Sequence, residues 1–529
     1  MSVASPAART IEDSAAHHHP ALFSLPADGE RAERAAERSG EVRDARAKRG
    51  QPDEVGPLGS TQSNCTTTPT DRRRARFMAR AALWSASTLY PVRTCGRHLA
   101  PLVERDLMTT QVIGMRPGEE AVVQRRETAS GPVAGYGGLT YCGSVWACPR
   151  CSGVIAAERA AQIAQAVAEC HRRGGQVHFL TLTLRHRRDD RLADLFDLLH
   201  RGWRGVTGST AWTGDERRVG DRDRFGVAGW VRVLEATVSR PGSGGHGWHL
   251  HVHALLFTES GLSAGLHSDA EDVVQRMTGT SWPVDMQWLA RVVFHSRVYA
   301  RWVRGVTRAG GRVPGAAAVD LRTIGDGGAE FLGRYMAKNT YDISTRVGAE
   351  VAAGELTKQT KSTINLSPFA LLGELVTEGP SFGIRTPRRW EIQDGDPMQL
   401  IDSETGEVSD ISPPGAWALW VEWERATAGR RALAWAHRPR SDETSRERLW
   451  AALLDARGTD AEATDEDLAA RDVGGKTLGG VPREAWYRRL VWRPSLMAQV
   501  LDVAEAQGGA GVRDLMREHG VSYDPRPEM

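Results

Sequence analysis

Trp248-His249-Leu250-His251-Val252-His253-Ala254-Leu255-Leu256-Phe257 alternates imidazoles with apolar side chains before running into a continuous apolar stretch. That pattern predicts a β-strand. Successive strand residues point to opposite faces, so His249, His251 and His253 share one face. Leu250, Val252 and Ala254 turn to the other and enter a core. Three imidazoles on one rigid, half-buried surface form a candidate metal-binding face, histidine being the commonest metal ligand. The plainer reading, histidines that merely decorate a strand, is weakened by the apolar run beside them.

Upstream, Trp230-Val231-Arg232-Val233-Leu234-Glu235-Ala236-Thr237-Val238 reads as a second strand, and Pro241-Gly242-Ser243-Gly244-Gly245-His246-Gly247 as a flexible turn. A hairpin centred on Ser243 sets Glu235 directly opposite His251, because both are equidistant from it. Opposed residues share a face, with Cβ atoms about 4.5–5.5 Å apart. A carboxylate then joins the imidazoles, although a slip of one residue turns it away. Such a set with open positions favours a catalytic divalent cation over a closed structural site. The cation polarises a phosphate oxygen and leaves the nucleophile to a side chain.

Glu330 to Asp342 offers such a side chain. The segment reads as helical, and Tyr335, Lys338 and Asn339 lie three and four residues apart, on one face. A phenol there can attack a phosphodiester and form a phosphotyrosine intermediate. Lys338 can stabilise phosphate charge or position the backbone. An ordinary surface tyrosine is the bland alternative, and Tyr341 is a second candidate on a different face.

Cys142-x5-Cys148-x2-Cys151 precedes a helix predicted over about 152–173, and Cys95 lies upstream in a Cys-Gly turn. A Cys-x2-Cys knuckle without a secretory context argues for zinc before disulfide. Cys95, Cys142, Cys148 and Cys151 would complete a closed tetrahedral structural site, with His98 as a substitute for the distant Cys95. Cys65 and Cys170 look unattached.

The chain has 529 residues, 40% of them hydrophobic, with a formal net charge of +2. That length holds roughly two to four domains. Neither a run of 18 apolar residues nor a secretory signal is visible, so a cytoplasmic protein is expected. Residues 71–100 carry seven arginines against one acid, Asp71, which suits either a phosphate-contacting surface or a solvated helix face. Residues 1–70 are poor in large apolar residues and read as a disordered tail, with His17, His18 and His19 inert. Residues 71–345 read as a folded α+β domain that includes a cysteine zinc module at about 90–175. His178-Phe179-Leu180-Thr181-Leu182-Thr183-Leu184 is a further strand. Residues 346–413 read as a linker and 414–529 as a helical, Trp-rich C-terminal region. Gly415–Arg438 is predicted helical, with Trp417, Trp420 and Trp423 as a core-facing stripe or, less simply, a base-stacking one.

The order of four motifs resembles the rolling-circle replication initiators (Rep proteins) of bacterial plasmids, within the HUH endonuclease superfamily. These are the cysteine knuckle, Phe-Leu-Thr-Leu-Thr at 179–183, His-x-His-x-His at 249–253 and Tyr-x-x-Lys at 335–338, spanning about residues 90–342. The Trp-rich segment at 417–435 is similar to that of actinobacterial members. The resemblance implies a metal-dependent tyrosine endonuclease that nicks one strand at its plasmid's origin. The histidine pair maps onto His251 and His253, and Tyr335 onto the nucleophile that becomes linked to the 5′ phosphate, freeing a 3′ hydroxyl primer. Mg²⁺ or Mn²⁺ is the implied cation, and the implied core is a small antiparallel sheet with helices. Some relatives carry a glutamate four residues before the tyrosine. Here that position is Phe331, and Glu330 is rotated from Tyr335 by about 140° on a helix.

A conjugative relaxase uses the same chemistry but usually places its tyrosine upstream of the histidines. A transposase of the superfamily would also join DNA ends. A zinc-knuckle DNA-binding regulator would need only the cysteines, and a zinc hydrolase would not need the tyrosine. Gly475-Lys476-Thr477 resembles the end of a P-loop, but the required first glycine falls at Ala470. Unwinding would then come from a host helicase, with origin DNA as the substrate.

Overall fold

The computed structural model describes residues 69–105, 111–128, 131–239, 245–262, 286–325, 365–372, 390–393, 399–402, 408–410 and 415–526. The tail expected over 1–70 lies outside them up to residue 68, as do Tyr335, Lys338, Glu330 and Tyr341. In chain order the elements begin with α1 (Pro69–Ala86), α2 (Tyr90–Thr94), β1 (Leu102–Arg105), β2 (Val112–Arg116), β3 (Glu120–Thr128) and β4 (Gly131–Gly137). Then come α3 (Pro149–Arg172), β5 (Gln176–Thr183), α4 (Leu192–Thr207), β6 (Val227–Ser239), β7 (Trp248–Thr258), α5 (Met286–Arg308) and β8 (Val319–Ile324). Two-residue β9 (Asn365–Leu366) precedes a small meander of β10 (Trp390–Gln393), β11 (Gln399–Asp402) and β12 (Val408–Asp410). The C-terminal part holds α6 (Ala416–Thr427), β13 (Leu433–Trp435), α7 (Ser445–Ala456), α8 (Asp465–Ala470), β14 (Lys476–Pro482), α9 (Pro494–Glu518) and β15 (Asp524–Pro525).

The fold is α+β with antiparallel sheets. Its largest sheet runs β13-β6-β7-β5-β8, with β9 also pairing β6. Leu180, Leu182, Leu234, Leu250, Val252 and Leu256 pack one face against Leu195, Phe196 and Trp203 of α4, Phe294 and Trp302 of α5, and Trp420 and Trp423 of α6. Helices α4 and α5 meet at glycines, where a Cβ at Gly205 would lie 2.9 Å from the Gly305 Cα. The other face carries Val177, Phe179, Val231, Leu255 and Phe257 under Ile163 and Val167 of α3 and Trp450 and Leu453 of α7. Among the described residues that second cover does not extend over the start of β7. His249 and His251 stay half-buried there while their neighbours are buried, and this gap positions the site.

A second sheet runs β15-β14-β3-β4 and packs on α1 and α9 through Trp84, Val123, Tyr136, Val481, Trp486, Met497 and Val512. Both ends of the described chain therefore build one layer. The C-terminal part is rich in helices but also supplies strands. The helix predicted over 415–438 ends at Thr427, the chain turns at Gly429 (φ +70°), and residues 433–435 add to the edge of β6. Lys476 of the incomplete P-loop opens β14 opposite Arg125. The arginines of 71–100 are partly structural: Arg73 pairs with Asp502 and Glu505, Arg80 is buried, and Arg97 lies over Trp492.

Candidate active-site face and zinc centre

Strands β6 and β7 pair in the register expected of a hairpin centred on Ser243, with Glu235 opposite His251, Val233 opposite His253 and Thr237 opposite His249. On the other side of β7, Thr183 faces His251 and Thr181 faces His253, and Asp320 of β8 lies next to Thr181. Opposed residues share a face, so imidazoles, two carboxylates and two hydroxyls lie on one face of the sheet. The His253 Nε2 touches the Glu235 carboxylate, its Nδ1 lies 3.1 Å from the Thr181 hydroxyl, and its ring stacks on Phe179 at 5.3 Å. His251 lies between its neighbours, with ring centroids 4.2 Å from His249 and 5.6 Å from His253. Burial holds the His251 ring at about 4, with the charge of His249 a further cause, and burial also lowers His249. Both rings are therefore neutral at pH 7 and keep a lone pair, the state a metal requires. The donor types are those a divalent cation takes, nitrogen and carboxylate oxygen on one face with a half-exposed end, although their ligand atoms are not gathered as closely as the cysteine sulfurs are.

Sequence reasoning did not single out His186, in the loop after β5. Its Nε2 lies 2.7 Å from the His249 Nδ1 and its Nδ1 3.1 Å from the His246 carbonyl. It also missed Glu422 of α6. That carboxylate accepts the Trp248 indole N–H at 2.7 Å and the Leu192 backbone N–H at 2.8 Å, so it ties the start of the histidine strand to the start of α4. No local periodicity signals either residue, because both act across long sequence separations.

The four predicted cysteines come together. Cys95 follows α2, Cys142 lies in the loop after β4, Cys148 caps α3 and Cys151 sits in its first turn. Their sulfurs all lie within 4.8 Å of one another. Cys95 is 3.5 Å from both Cys148 and Cys151, and Cys142 is 3.7 Å from Cys151. Metal–sulfur bonds of about 2.3 Å give a tetrahedron with edges of about 3.8 Å, so the cluster fits zinc. Cys95, rather than His98, fills the fourth position, while His98 packs against Tyr487. Hydrogen bonds from the neighbouring thiols, Cys142 first, pull Cys151 well below the ordinary thiol range. Among the described residues this is the one group of cysteine, histidine and acidic side chains drawn close enough to hold a metal without rearrangement. Cys170 is buried away from it, as expected.

No family model matches the chain, and no solved structure does. A Streptomyces lividans protein named Protein rep is 31% identical over 349 residues, which cover 61% of this chain and 67% of that protein. The chain belongs to the Rep protein family. A neomycin resistance protein of Streptomyces cyanogenus is 36% identical over 176 residues, 30% of this chain and 37% of that protein. In this Rep-family chain His249, His251, His253 and Glu235 share a face, and the four cysteines form a second centre on the same chain. Tyr335 and Lys338 lie outside the described residues. No described helix is long and apolar enough to cross a membrane.

Proposed function

We propose that this chain is a plasmid replication protein that initiates rolling-circle replication by nicking one strand at the origin, on an HUH-type core. The observation that carries the reading is the face built by His249, His251, His253 and Glu235 in a member of the Rep family. These four residues would hold Mg²⁺ or Mn²⁺, which supplies polarisation of a non-bridging phosphate oxygen. Thr181 and Glu235 hold the His253 ring in the cation-free chain and Phe179 stacks on it, so ligation through the His253 Nε2 would replace its contact with Glu235. The Tyr335 phenolic oxygen attacks the scissile phosphorus, the P–O3′ bond breaks, and the phenolic proton is released to solvent while the departing oxygen takes one up. The products are a 5′-phosphotyrosine and a 3′ hydroxyl that primes synthesis. Lys338 balances the phosphate charge. Zinc on Cys95, Cys142, Cys148 and Cys151 is structural. Origin DNA is the partner, and unwinding falls to a host helicase.

The test is a covalent-adduct assay. Purified protein with and without Mn²⁺ or Mg²⁺ meets labelled single-stranded origin DNA, and denaturing gels resolve the products for wild type, Tyr335→Phe and Tyr341→Phe. A cation-dependent adduct lost only in Tyr335→Phe is expected. DNA binding without an adduct would favour the zinc-knuckle binding protein. An adduct that also joins foreign ends would favour the transposase.

A further inference from the structure

Resting on that reading, we propose that His186 is a positioning residue that fixes the tautomer of His249 and so aims the His249 Nε2 lone pair at the catalytic cation. A backbone carbonyl can only accept a hydrogen bond. The His186 Nδ1, 3.1 Å from the His246 carbonyl, must therefore carry the proton of the neutral ring. Its Nε2 is then an acceptor. At 2.7 Å it accepts a hydrogen bond from the His249 Nδ1–H, which leaves the lone pair of His249 on Nε2. Ligating histidines characteristically donate their other ring N–H to an outer partner that sets tautomer and ring orientation. Here the partner is a second imidazole, itself oriented by a main-chain carbonyl.

The loop that carries His186 is held in place independently of any metal. Asp190 accepts the Arg187 backbone N–H at 2.6 Å and an Arg312 guanidinium N–H at 2.6 Å. Gly247, at φ +75°, lets the hairpin approach so closely that a Cβ there would lie 2.6 Å from the Arg188 carbonyl oxygen. The Ser239 backbone N–H donates to the Gly247 carbonyl at 3.0 Å and closes the same corner. His186 thus reaches β7 from a braced loop, not from a free side chain.

His186→Leu removes the acceptor and His186→Gln keeps an amide oxygen able to accept from His249. Two measurements on zinc-loaded, full-length protein at pH 8 read the proposal without DNA. In ¹⁵N-histidine spectra of the cation-free protein, His249 is expected as one tautomer protonated on Nδ1, lost in the Leu variant and kept in the Gln variant. Mn²⁺ affinity by titration calorimetry is expected to fall about 10- to 100-fold in the Leu variant and to recover in the Gln variant. Unchanged affinity and tautomer in His186→Leu would overturn the proposal, as would a wild-type His249 protonated on Nε2 or a wild type that binds no Mn²⁺. If the Leu variant melts early, the wild-type tautomer and the Gln variant decide. Failure of the DNA-adduct assay with these results intact would overturn the nicking chemistry and leave the role of His186 standing.

Discussion

His178 and His251 lie on neighbouring strands, carry the same ring and face opposite sides of one sheet. His251 looks toward the half-exposed site. His178 is 1% exposed on the face of Leu180 and Leu182, with its Nδ1 3.1 Å from the Thr323 hydroxyl and its Nε2 3.4 Å from that of Thr258. Burial, with the charge of Arg291 a second cause, holds its ring at about 4 against an ordinary 6.5. The folded chain thus requires it neutral, while the unfolded chain takes up a proton first as the pH falls. Between pH 6.5 and 4 the unfolded state binds more protons, so stability rises with pH across that window and this contribution is flat above it. At 1.36 kcal/mol for each pKa unit, acidification from pH 7 to pH 5 should cost about 2 kcal/mol through this ring. Urea unfolding of wild type and His178→Gln at both pH values measures it. An equal acid loss in the variant would place the sensitivity on other groups. Alternation along the strand assigns the faces of these rings, but it cannot say what covers each face.

At the scale of elements, the Trp-rich helix α6 illustrates the difference between pattern and contact. Its spacing reads as a core-facing stripe, and Trp420 and Trp423 are buried with their indole N–H groups bonded to Glu424 and to the Trp146 carbonyl. Less legible was the work of its acids. Glu424 is fully buried and accepts from Ser87, Thr88 and Trp420. Glu422 braces the histidine strand through Trp248, whose ring also stacks on Trp423 at 5.6 Å. Glutamates on a helix read as a solvated face until the packing partner is known. The cysteine knuckle is the opposite case, because Cys-x2-Cys at a helix start already positions two ligands. It gathers α2, α3 and α8 around one cluster that includes Leu468 and Ala469. We expect one zinc per chain by mass spectrometry, lost in Cys148→Ser, with the thermal midpoint falling by several degrees or more since zinc binding contributes directly to folding. An unchanged midpoint after complete zinc removal would show that apolar packing alone holds this junction.

Across the whole molecule, residues far apart in the chain share layers. Strand β14 pairs with β3, and α9 covers the same sheet through Met497, Val500 and Val512, while Arg73 of α1 pairs with Asp502 of α9. A chain ended at residue 475 would lose this cover and expose Trp84, Val123 and Tyr136. Such a truncation is expected to expose protease sites in residues 69–137 and to lower solubility, as limited proteolysis and sedimentation would show. A 1–475 chain as resistant as the full protein would mean that the second sheet needs no C-terminal layer.

The sequence by itself determined the three central strands, the hairpin register that sets Glu235 against His251, the faces of the three β7 imidazoles and the local half of the cysteine site. These follow from the two-residue strand period, the symmetry of a short turn and ligand spacing along a helix start, all properties of near neighbours in the chain. The tertiary structure alone decided that Cys95 completes the cluster, that β13 and β14 extend two sheets, that Glu422 braces Trp248 and that His186 meets His249. Each of those contacts joins residues dozens to hundreds of positions apart. Packing in three dimensions selects them, and no local period records them.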